Sequence, residues 1–280
     1  MFALTNSEIA ARCPQVFQTN YSKARTKKYG QYTTAQVIDA LRNEGYEVTN
    51  AFSQARTPGQ FSKHCVRLSH RTFLDTLHPD ETRPEIVIVN SHDGSSSFRI
   101  MAGIFRLVCS NGLIIADEQT ADNRICHWKG NSFDSVINTA LFVAEQAKQS
   151  YELIDQMKAQ NLTPQQQKDY AIKAAKIRLA YNKNSQVNFA ENLLTTHRHE
   201  DTLSSSIWNT YNVVQENCIK GGQLVGSRIL RPLTNISQNV EVNRKLWQEA
   251  VALIAWPSAH RLIKYILIAT TQISSGVLFK

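Results

Sequence analysis

The stretch PEIVIVNSHDGSSSFRIMAGIFRLVCSNGLIIAD, residues 84–117, decides the fold. Ile86 to Val89 is a short β-branched run, which suits a buried strand. Phe98 to Val108 is a second apolar run rich in strand-forming residues, and the dipeptide Asp93-Gly94 between the two runs is a strong hairpin signal. The stretch therefore predicts neighbouring antiparallel strands.

The end of this stretch continues the pattern. The dipeptide Asn111-Gly112 predicts another turn, and Leu113 to Ile115 after it predicts another strand. We expect a curled antiparallel sheet with Arg99 and Arg106 on its solvent-facing side. A helix from Arg99 to Cys109 is the main alternative, because the apolar residues of this run also fit one face of a helix.

The residues before this stretch extend the sheet. Thr33 and Thr34 precede apolar residues at helical spacing, and Gly45 ends that pattern, so an N-capped amphipathic helix is predicted. Glu47 to Gln54 and His64 to His70 predict two further strands, separated by a loop that contains a Pro-Gly pair.

The sequence changes character at Ser132, where apolar residues begin to recur every three or four positions. Helices are predicted at Phe133–Met157, Pro164–Ala180, Asn188–Leu194, Ser206–Asn217 and Val240–Trp256. The sequence therefore predicts an α+β fold: an N-terminal antiparallel β-meander with a flanking helix, followed by a mostly helical C-terminal region. We assign residues 1–32 to a basic arm, 33–255 to a single domain that is β-rich to 131 and helical from 132, and 256–280 to a tail.

Composition indicates the compartment. The five cysteines are odd in number, scattered and without a CxxC pair, which predicts reduced thiols and a cytoplasmic protein. The N-terminus lacks the basic and apolar regions of a secretory signal. The longest apolar run, residues 262–279, is interrupted by Lys264 and several polar residues, so a buried terminal element is preferred to a membrane-associated tail.

Charge favours a polyanionic partner, because the net charge is +8 and the sequence pI is about 9.3. Basic residues cluster near the N-terminus, with tyrosines among them. Cations beside exposed aromatic rings suit phosphate contacts and base stacking, whereas a solvated arm of ordinary charge is the alternative. The predicted nucleic-acid-binding residues are Arg25, Lys27, Lys28, Tyr29, Arg67, Arg99 and Arg106.

The segment Asn90-Ser91-His92-Asp93-Gly94 is the first candidate for chemistry. His92 and Asp93 are candidate metal ligands, with His127 as a further ligand, or a catalytic acid/base pair. The structural alternative is preferred, because Asn, Ser and Asp-Gly all favour turns without any chemistry. The histidine spacing matches no known metal signature.

Cys109 is the second candidate, as a catalytic nucleophile with His92 or His127 as its base. A buried, inert cysteine is the preferred interpretation, because Cys109 follows the apolar pair Leu107-Val108.

Two further polar or glycine-rich segments have weaker signals. His197-Arg198-His199-Glu200-Asp201 holds several candidate metal ligands, but a polar loop between helices is the preferred interpretation. Gly221-Gly222-Gln223-Leu224-Val225-Gly226 lacks the lysine and hydroxyl residue of a phosphate-binding P-loop, so nucleotide hydrolysis is not predicted.

Several long strings resemble one family. These are RLSHR, VNSHDGSSSFRIMAGIFRLVCSNGLII, WNTYNVVQENCIKGG and ISQNVEVNRKLW. They are similar to a phage and plasmid family of a domain of unknown function, to which prophage proteins of the YafZ and YfjQ type belong. The resemblance runs from Thr33 to Ala255 and implies a mobile-element setting without an established activity. The order of helix, strands and helices is also weakly similar to that of single-strand annealing recombinases, which is an analogy of fold alone.

The preferred functional hypothesis is a non-enzymatic nucleic-acid-binding protein of a mobile element, acting as a single-stranded DNA annealing or recombination accessory. The alternatives are an anti-defence protein that binds a host protein and a metal-dependent enzyme centred on His92 and Asp93. We expect no cofactor and no membrane partner. Single-stranded DNA is the expected partner, and host proteins or further copies of this chain are the other partner classes left open.

Overall fold

The structure is a computed structural model, and it describes residues 3–19, 33–54, 61–74, 82–93, 96–106, 111–114, 122–125, 133–179, 189–222, 224–225 and 228–254. Its contacts divide the chain into two compact units. The first, the sheet unit, is Met1–Ser150 with Thr234–Val240, and the second, the helical unit, is Tyr151–Leu233 with Glu241–Lys280. The boundary after Ser150 thus lies beyond the change of character predicted at Ser132.

The sheet unit contains an antiparallel sheet. Its strands are β1 (Tyr46–Ser53), β2 (His64–His70), β3 (Thr82–Asn90), β4 (Phe98–Arg106), β5 (Asn111–Ile114) and β6 (Asp122–Ile125). The first five strands lie in sequence order, and β6 pairs with β4. The predicted β-meander and the α+β class are confirmed.

One alternative and one expectation at the centre of the sheet differ from the structure. From Arg99 to Arg106 the alternative helix does not form, because these residues of β4 pair with β3. Asn111 and Gly112 are not a turn: they open β5 and pair with Arg106 and Phe105. The pairing of β5 with β4 outweighs the local turn preference of an Asn-Gly dipeptide.

Helix α2 (Thr34–Asn43) flanks the sheet as predicted. The Thr33 side chain accepts a hydrogen bond from the Gln36 N–H, and the Gln36 side chain accepts from the Thr33 N–H, which completes a capping box. After the helix, Gly45 has a φ of 89°, a left-handed conformation that glycine adopts without a Cβ penalty. Capping and termination were therefore both readable from sequence.

Residues 3–19, the first part of the predicted basic arm, belong to the sheet unit. They form α1 (Asn6–Arg12) and a 3₁₀ turn (Pro14–Phe17). Ile9, Cys13 and Val16 are fully buried in the same cluster as the sheet. A segment with three buried side chains is part of the core, since each buried aliphatic side chain contributes about 1.5–3 kcal/mol relative to exposure.

The core of the sheet unit is one cluster of aliphatic side chains from the strands and the flanking helices. Fully or almost fully buried members include Val37, Ile38, Leu41, Val48, Val66, Leu68, Ile86, Ile88, Ile100, Met101, Val136, Ala140 and Val143. Every residue of β3 after Thr82 is buried, so both faces of this central strand are covered.

The helical unit is built around α6 (Ile207–Lys220). Its other elements are the last part of α3 (Phe133–Ala159), α4 (Pro164–Leu179), α5 (Phe189–Asn192), the short β7 (Leu224–Val225) and β8 (Arg228–Ile229), and most of α7 (Ile236–Val251). The predicted helices are confirmed, although α7 begins earlier than predicted because the Asn235 side chain accepts from the Gln238 N–H. None of the described helices is long and apolar enough to cross a membrane.

Candidate functional site

The described part of the NSHDG segment, Asn90 to Asp93, begins at the last residue of β3. The Asn90 side-chain oxygen accepts from the Ser91 N–H at 2.8 Å. The Ser91 hydroxyl accepts from the Ser96 N–H at 3.0 Å and faces the Ser96 carbonyl at 3.4 Å. Asn90 and Ser91 are both fully buried, so these two residues shape the turn and close it.

His92 lies inside this turn and is fully buried. Its backbone N–H donates to the Phe61 carbonyl at 3.2 Å, and its Nε2 lies 3.0 Å from the Gln15 carbonyl oxygen. Its Nδ1 is buried and has no hydrogen-bond partner among the described residues. Burial lowers the pKa of His92, while the Gln15 carbonyl and the Asp93 charge act in the opposite direction.

His64, at the start of β2, stacks on His92 with ring centroids 5.4 Å apart and an angle of 22° between the rings. Its Nε2 lies 2.8 Å from the Thr34 hydroxyl, and its Nδ1 lies 3.3 Å from the Ser62 carbonyl oxygen. Burial, and then the neighbouring His92, lower the pKa of His64 to about 3. Both imidazoles are therefore neutral at physiological pH.

This arrangement places His64 beside His92, a predicted candidate metal ligand, but it lacks the rest of a metal site. Within the described ranges, no group of three or more His, Cys, Asp and Glu residues is placed to hold a metal ion. Asp93 is half-buried, and His70 lies at the opposite end of β2, where it contacts Tyr46 edge to face. Cys109 and His127 lie outside the described residues. The catalytic role of His92, Asp93 and Cys109 stays a prediction.

Arg67, a predicted nucleic-acid contact, is buried in an ion pair on the sheet. Its Nε lies 2.6 Å from Glu85 Oε2, and Arg83 Nη2 lies 3.4 Å from Glu85 Oε1. The Thr49 hydroxyl donates to Glu85 Oε1 at 3.1 Å. Because Glu85 is 1% exposed and Arg67 is 8% exposed, the Arg67 guanidinium neutralises a buried carboxylate. Its nucleic-acid role stays a prediction.

Arg99 and Arg106 lie on opposite faces of β4, so the expectation of one shared solvent-facing side is wrong. The register pairs Val89 with Arg99 and Thr82 with Arg106 without a bulge. Side chains alternate along a strand, and two residues at an odd spacing therefore point to opposite faces. Arg106 is buried, whereas Arg99 is half-buried.

The remaining predicted nucleic-acid contacts, Arg25, Lys27, Lys28 and Tyr29, lie outside the described residues. Their two described flanks are well fixed. Gln15 precedes the segment and is bonded to His92, and Thr34 follows the segment and is bonded to His64. The basic segment is therefore inserted between two anchored elements of the sheet unit.

In the helical unit, the HRHED segment is bound to α6 by polar side chains. Arg198 forms an ion pair with Glu216 through both guanidinium Nη atoms. The Asn209 side chain donates to the carbonyls of Asp201 and Ser204 at 2.6 and 2.7 Å. Asn217 contacts His197 Nε2 at 2.7 Å through its side-chain oxygen. The polar residues of the WNTYNVVQENC string thus hold this loop in place.

Gly221 and Gly222, which follow α6, both adopt a backbone conformation with positive φ. Gly221 has φ 69° and ψ −146°, and Gly222 has φ 88°. The Gly222 N–H donates to the Leu230 carbonyl at 2.8 Å, while buried Arg178 donates to the carbonyls of Cys218 and Arg231 at 2.8 and 2.9 Å. The end of α6 is therefore hydrogen-bonded to the segment around Leu230 and Arg231.

Sequence reasoning missed Gln15 and Thr34, the two partners of the buried histidines. The helix that leads to Gln15 did have a signal in the sequence: Thr5 and Glu8 form a capping box, and Ile9, Cys13 and Val16 follow at helical spacing. That pattern predicts a short amphipathic helix. The pairing of Gln15 with His92, 77 residues apart, had no local signal.

The described residues form an α+β protein whose polar clusters around His64, Glu85 and Glu216 are buried. A family model described as "Domain of unknown function (DUF932)" matches residues 22–247. Two relatives from Escherichia coli (strain K12), UPF0380 protein YafZ and UPF0380 protein YfjQ, are 32% and 31% identical to this chain over 259 residues, covering 90% of it and 92% of each relative. The chain belongs to the DUF932 family, as the resemblance implied. No solved structure matches it, and the likeness to single-strand annealing recombinases stays a prediction.

Proposed function

We propose that this protein binds nucleic acid, single-stranded DNA above all, through the basic segment Lys23–Lys28. The setting is a mobile element, and the role is that of a cytoplasmic annealing or recombination accessory. The observation that carries the proposal is the distribution of charge between this segment and the rest of the chain.

The excess positive charge lies almost entirely outside the middle of the chain. Residues 33–254 contain 23 Lys and Arg against 22 Asp and Glu, so they are close to neutral. Residues 1–32 contain five Lys and Arg against a single acidic residue, Glu8. Four of the five cations are Lys23, Arg25, Lys27 and Lys28, and the family match from residue 22 includes them. Concentrated charge of this kind supports phosphate binding better than a uniform excess does.

Many cations of the described residues already have acidic partners. In the sheet unit, Arg42 and Arg71 lie near Glu47, and Arg67 and Arg83 lie near Glu85. In the helical unit the pairs are Lys168–Glu191, Lys173–Glu249, Arg198–Glu216 and Arg244–Glu241. Neutralised cations release few counterions on meeting DNA, which again favours the N-terminal segment.

The aromatic residues of the segment favour an unpaired strand. Tyr21, Tyr29 and Tyr32 flank the cations in sequence. Stacking of a base on an aromatic side chain contributes about 1–3 kcal/mol and requires a base that is free of its duplex. Lys and Arg side chains bind the phosphates of single strands and of duplexes alike. A preference for single-stranded over duplex DNA would therefore indicate that the tyrosines stack on bases.

The experiment compares two fourfold variants by fluorescence anisotropy with a labelled single-stranded oligonucleotide over a range of salt concentrations. The first carries Lys23→Gln, Arg25→Gln, Lys27→Gln and Lys28→Gln. The matched control carries Lys158→Gln, Lys168→Gln, Lys173→Gln and Lys176→Gln, which remove the same charge from exposed positions on α3 and α4.

We expect the first variant to lower the slope of log affinity against log salt by about 3, since each phosphate contact on a single strand contributes about 0.7. The control should retain most of the wild-type slope. Tyr29→Leu should weaken binding to the single strand and leave binding to a duplex of the same sequence unchanged. Absence of wild-type binding at low salt, or equal losses in the two fourfold variants, would overturn the proposal.

A further inference from the structure

The stacked histidines occupy the point where four separate parts of the sheet unit meet. His92 comes from the turn after β3, and His64 begins β2. Their polar partners are Gln15 in the 3₁₀ turn after α1 and Thr34 at the first position of α2. Each of these four residues is at most 2% exposed. The pair therefore links the N-terminal segment to α2 through the sheet.

The partners fix where each imidazole carries its proton. A backbone carbonyl only accepts, so His92 donates from Nε2 to Gln15, and His64 donates from Nδ1 to Ser62. His64 Nε2 then accepts from the Thr34 hydroxyl, whose oxygen accepts from the Asn90 side-chain amide at 3.1 Å. Asn90, Thr34, His64 and Ser62 thus form a directed chain of hydrogen bonds in which His64 is neutral.

A second proton on either ring is unfavourable in this geometry. On His64 Nε2 it would replace the lone pair that accepts from Thr34, and two donors would face each other. On His92 Nδ1 it would create a buried cation with no acceptor among the described residues. A charge on one ring also repels a charge on the other across 5.4 Å.

Few charged groups favour protonation of the two histidines. Asp93 is the acidic residue that acts on His92, and it favours the proton less than burial disfavours it. Helix α2 has no acidic residue in its first turn. Next to Gln15, Cys13 is neutral, because burial raises its pKa; on β2, burial raises the pKa of Cys65 to about 12.

We infer that the His64–His92 stack is an acid-sensitive clasp, which holds α1 with its 3₁₀ turn and the start of α2 on the sheet while both rings are neutral and releases them when the rings become charged. The clasp stands on its own geometry. It also bears on the proposed function, because the cations of that proposal lie in the chain between Gln15 and Thr34.

The test is hydrogen–deuterium exchange of peptides from residues 3–19 and 33–43 at pH 7.5 and 5.5, with the intrinsic pH dependence of exchange divided out and no nucleic acid present. In the open state each histidine titrates near 6.5, so the open fraction should rise about 10-fold for His64, whose folded pKa is about 3, and further for His92, whose folded pKa is lowered by burial. If wild-type exchange shows no change between the two pH values after this correction, the inference is overturned.

Two variants assign the effect to the clasp. His92→Gln keeps an amide N–H for the Gln15 carbonyl and cannot be protonated, so the rise should fall to the roughly 10-fold that His64 contributes. His64→Gln should also lower the pH-dependent rise in the open fraction. It is the variant to measure if His92→Gln does not fold. His199→Gln removes an exposed histidine of the helical unit and should leave the full rise in place. A full rise in both clasp variants would contradict the inference.

The measurement separates the clasp from the proposed function, because it contains no DNA. A protein that shows the exchange pattern but binds no single-stranded DNA retains the clasp and loses the proposed function. A protein that binds DNA with a flat exchange profile gives the opposite result.

Discussion

Arg198 and Glu216 form an ion pair with two hydrogen bonds, from Nη1 to Oε2 at 2.6 Å and from Nη2 to Oε1 at 2.5 Å. Arg198 belongs to the loop before α6, and Glu216 is one of the buried residues of α6. Parallel hydrogen bonds of this kind fix geometry as well as charge. The pair therefore ties a polar loop to the central helix of the helical unit.

Replacement of Arg198 should destabilise the helical unit. Glu216 is 4% exposed. In Arg198→Leu its carboxylate would keep the ion pair with Lys220 but lose both hydrogen bonds from the Arg198 guanidinium. We expect a loss of about 2–3 kcal/mol in the free energy of unfolding, the usual cost of removing a hydrogen bond to a buried charge. Urea titration followed by tryptophan fluorescence measures it, since Trp208 and Trp247 both lie in this unit. Lys168→Gln with Glu191→Gln, a pair on the surface, is the control and should leave the midpoint unchanged.

The same pair predicts a pH dependence. Burial raises the pKa of Glu216, but hydrogen bonds from Arg198 and Lys220 outweigh it, and the net effect is a pKa below the usual 4.5. A lowered folded pKa means that the stabilisation is complete above pH 4.5 and is lost as the pH falls through the folded value. The unfolding free energy of wild type should therefore drop more steeply below pH 4.5 than that of Glu216→Gln. Parallel curves would contradict this.

Glu85→Gln should destabilise the sheet unit. The change removes the negative charge that Arg67 and Arg83 approach on a fully covered strand, while it keeps the size of the side chain and an acceptor for Thr49. Loss of one partner of a buried ion pair costs about 3–5 kcal/mol. Thermal unfolding followed by circular dichroism measures the effect. Glu47→Gln, whose side chain is 20% exposed, should cost clearly less, and equal losses would argue against a special role for the buried carboxylate.

Gly221→Ala and Gly222→Ala should differ although the two glycines are adjacent and both have positive φ. A Cβ on Gly221 would lie 2.5 Å from the Leu230 carbonyl oxygen and 2.8 Å from the Arg231 carbonyl carbon. A Cβ on Gly222 meets nothing within 4 Å. Gly222→Ala should cost about 1–2 kcal/mol for its backbone conformation, and Gly221→Ala should cost more because backbone atoms must move. Equal unfolding midpoints would contradict this comparison.

The proton positions of the buried histidines give a spectroscopic prediction. Imidazole ¹⁵N chemical shifts at pH 7.5 should show His92 protonated on Nε2 and His64 protonated on Nδ1, each as a single neutral tautomer. His64 should stay neutral until the pH approaches 3 or the protein unfolds. Fast tautomer averaging at His64 would argue against the hydrogen bond from Thr34.

Much of the architecture followed from local patterns in the sequence. The cap at Thr33, the stop at Gly45, the β-branched run at Ile86 to Val89 and the recurring apolar residues after Ser132 each reflect a short-range preference of the backbone or of one helical face. Such preferences act between residues a few positions apart. They were sufficient to predict the α+β class and the β-meander, whereas β6, which pairs with β4, was not predicted.

The use of the polar residues depended on contacts between distant parts of the chain. The pairing of β3 with β4 placed Arg99 and Arg106 on opposite faces, and the packing of α1 placed the Gln15 carbonyl against His92. A side chain of Arg or His reads the same in sequence whether it meets solvent or a buried partner. Its burial is decided only when the sheet and helices assemble, because desolvation and pairing are properties of the tertiary environment.

The stretch from Pro84 to Asp117 thus determined by itself that neighbouring antiparallel strands form, through β-branched runs and the spacing between them. Tertiary structure decided that Asn90 and His92 are held inside the protein, since their partners Thr34 and Gln15 lie 56 and 77 residues away in the chain. Hydrogen bonds across such separations form only after the backbone has brought the groups within about 3 Å of each other.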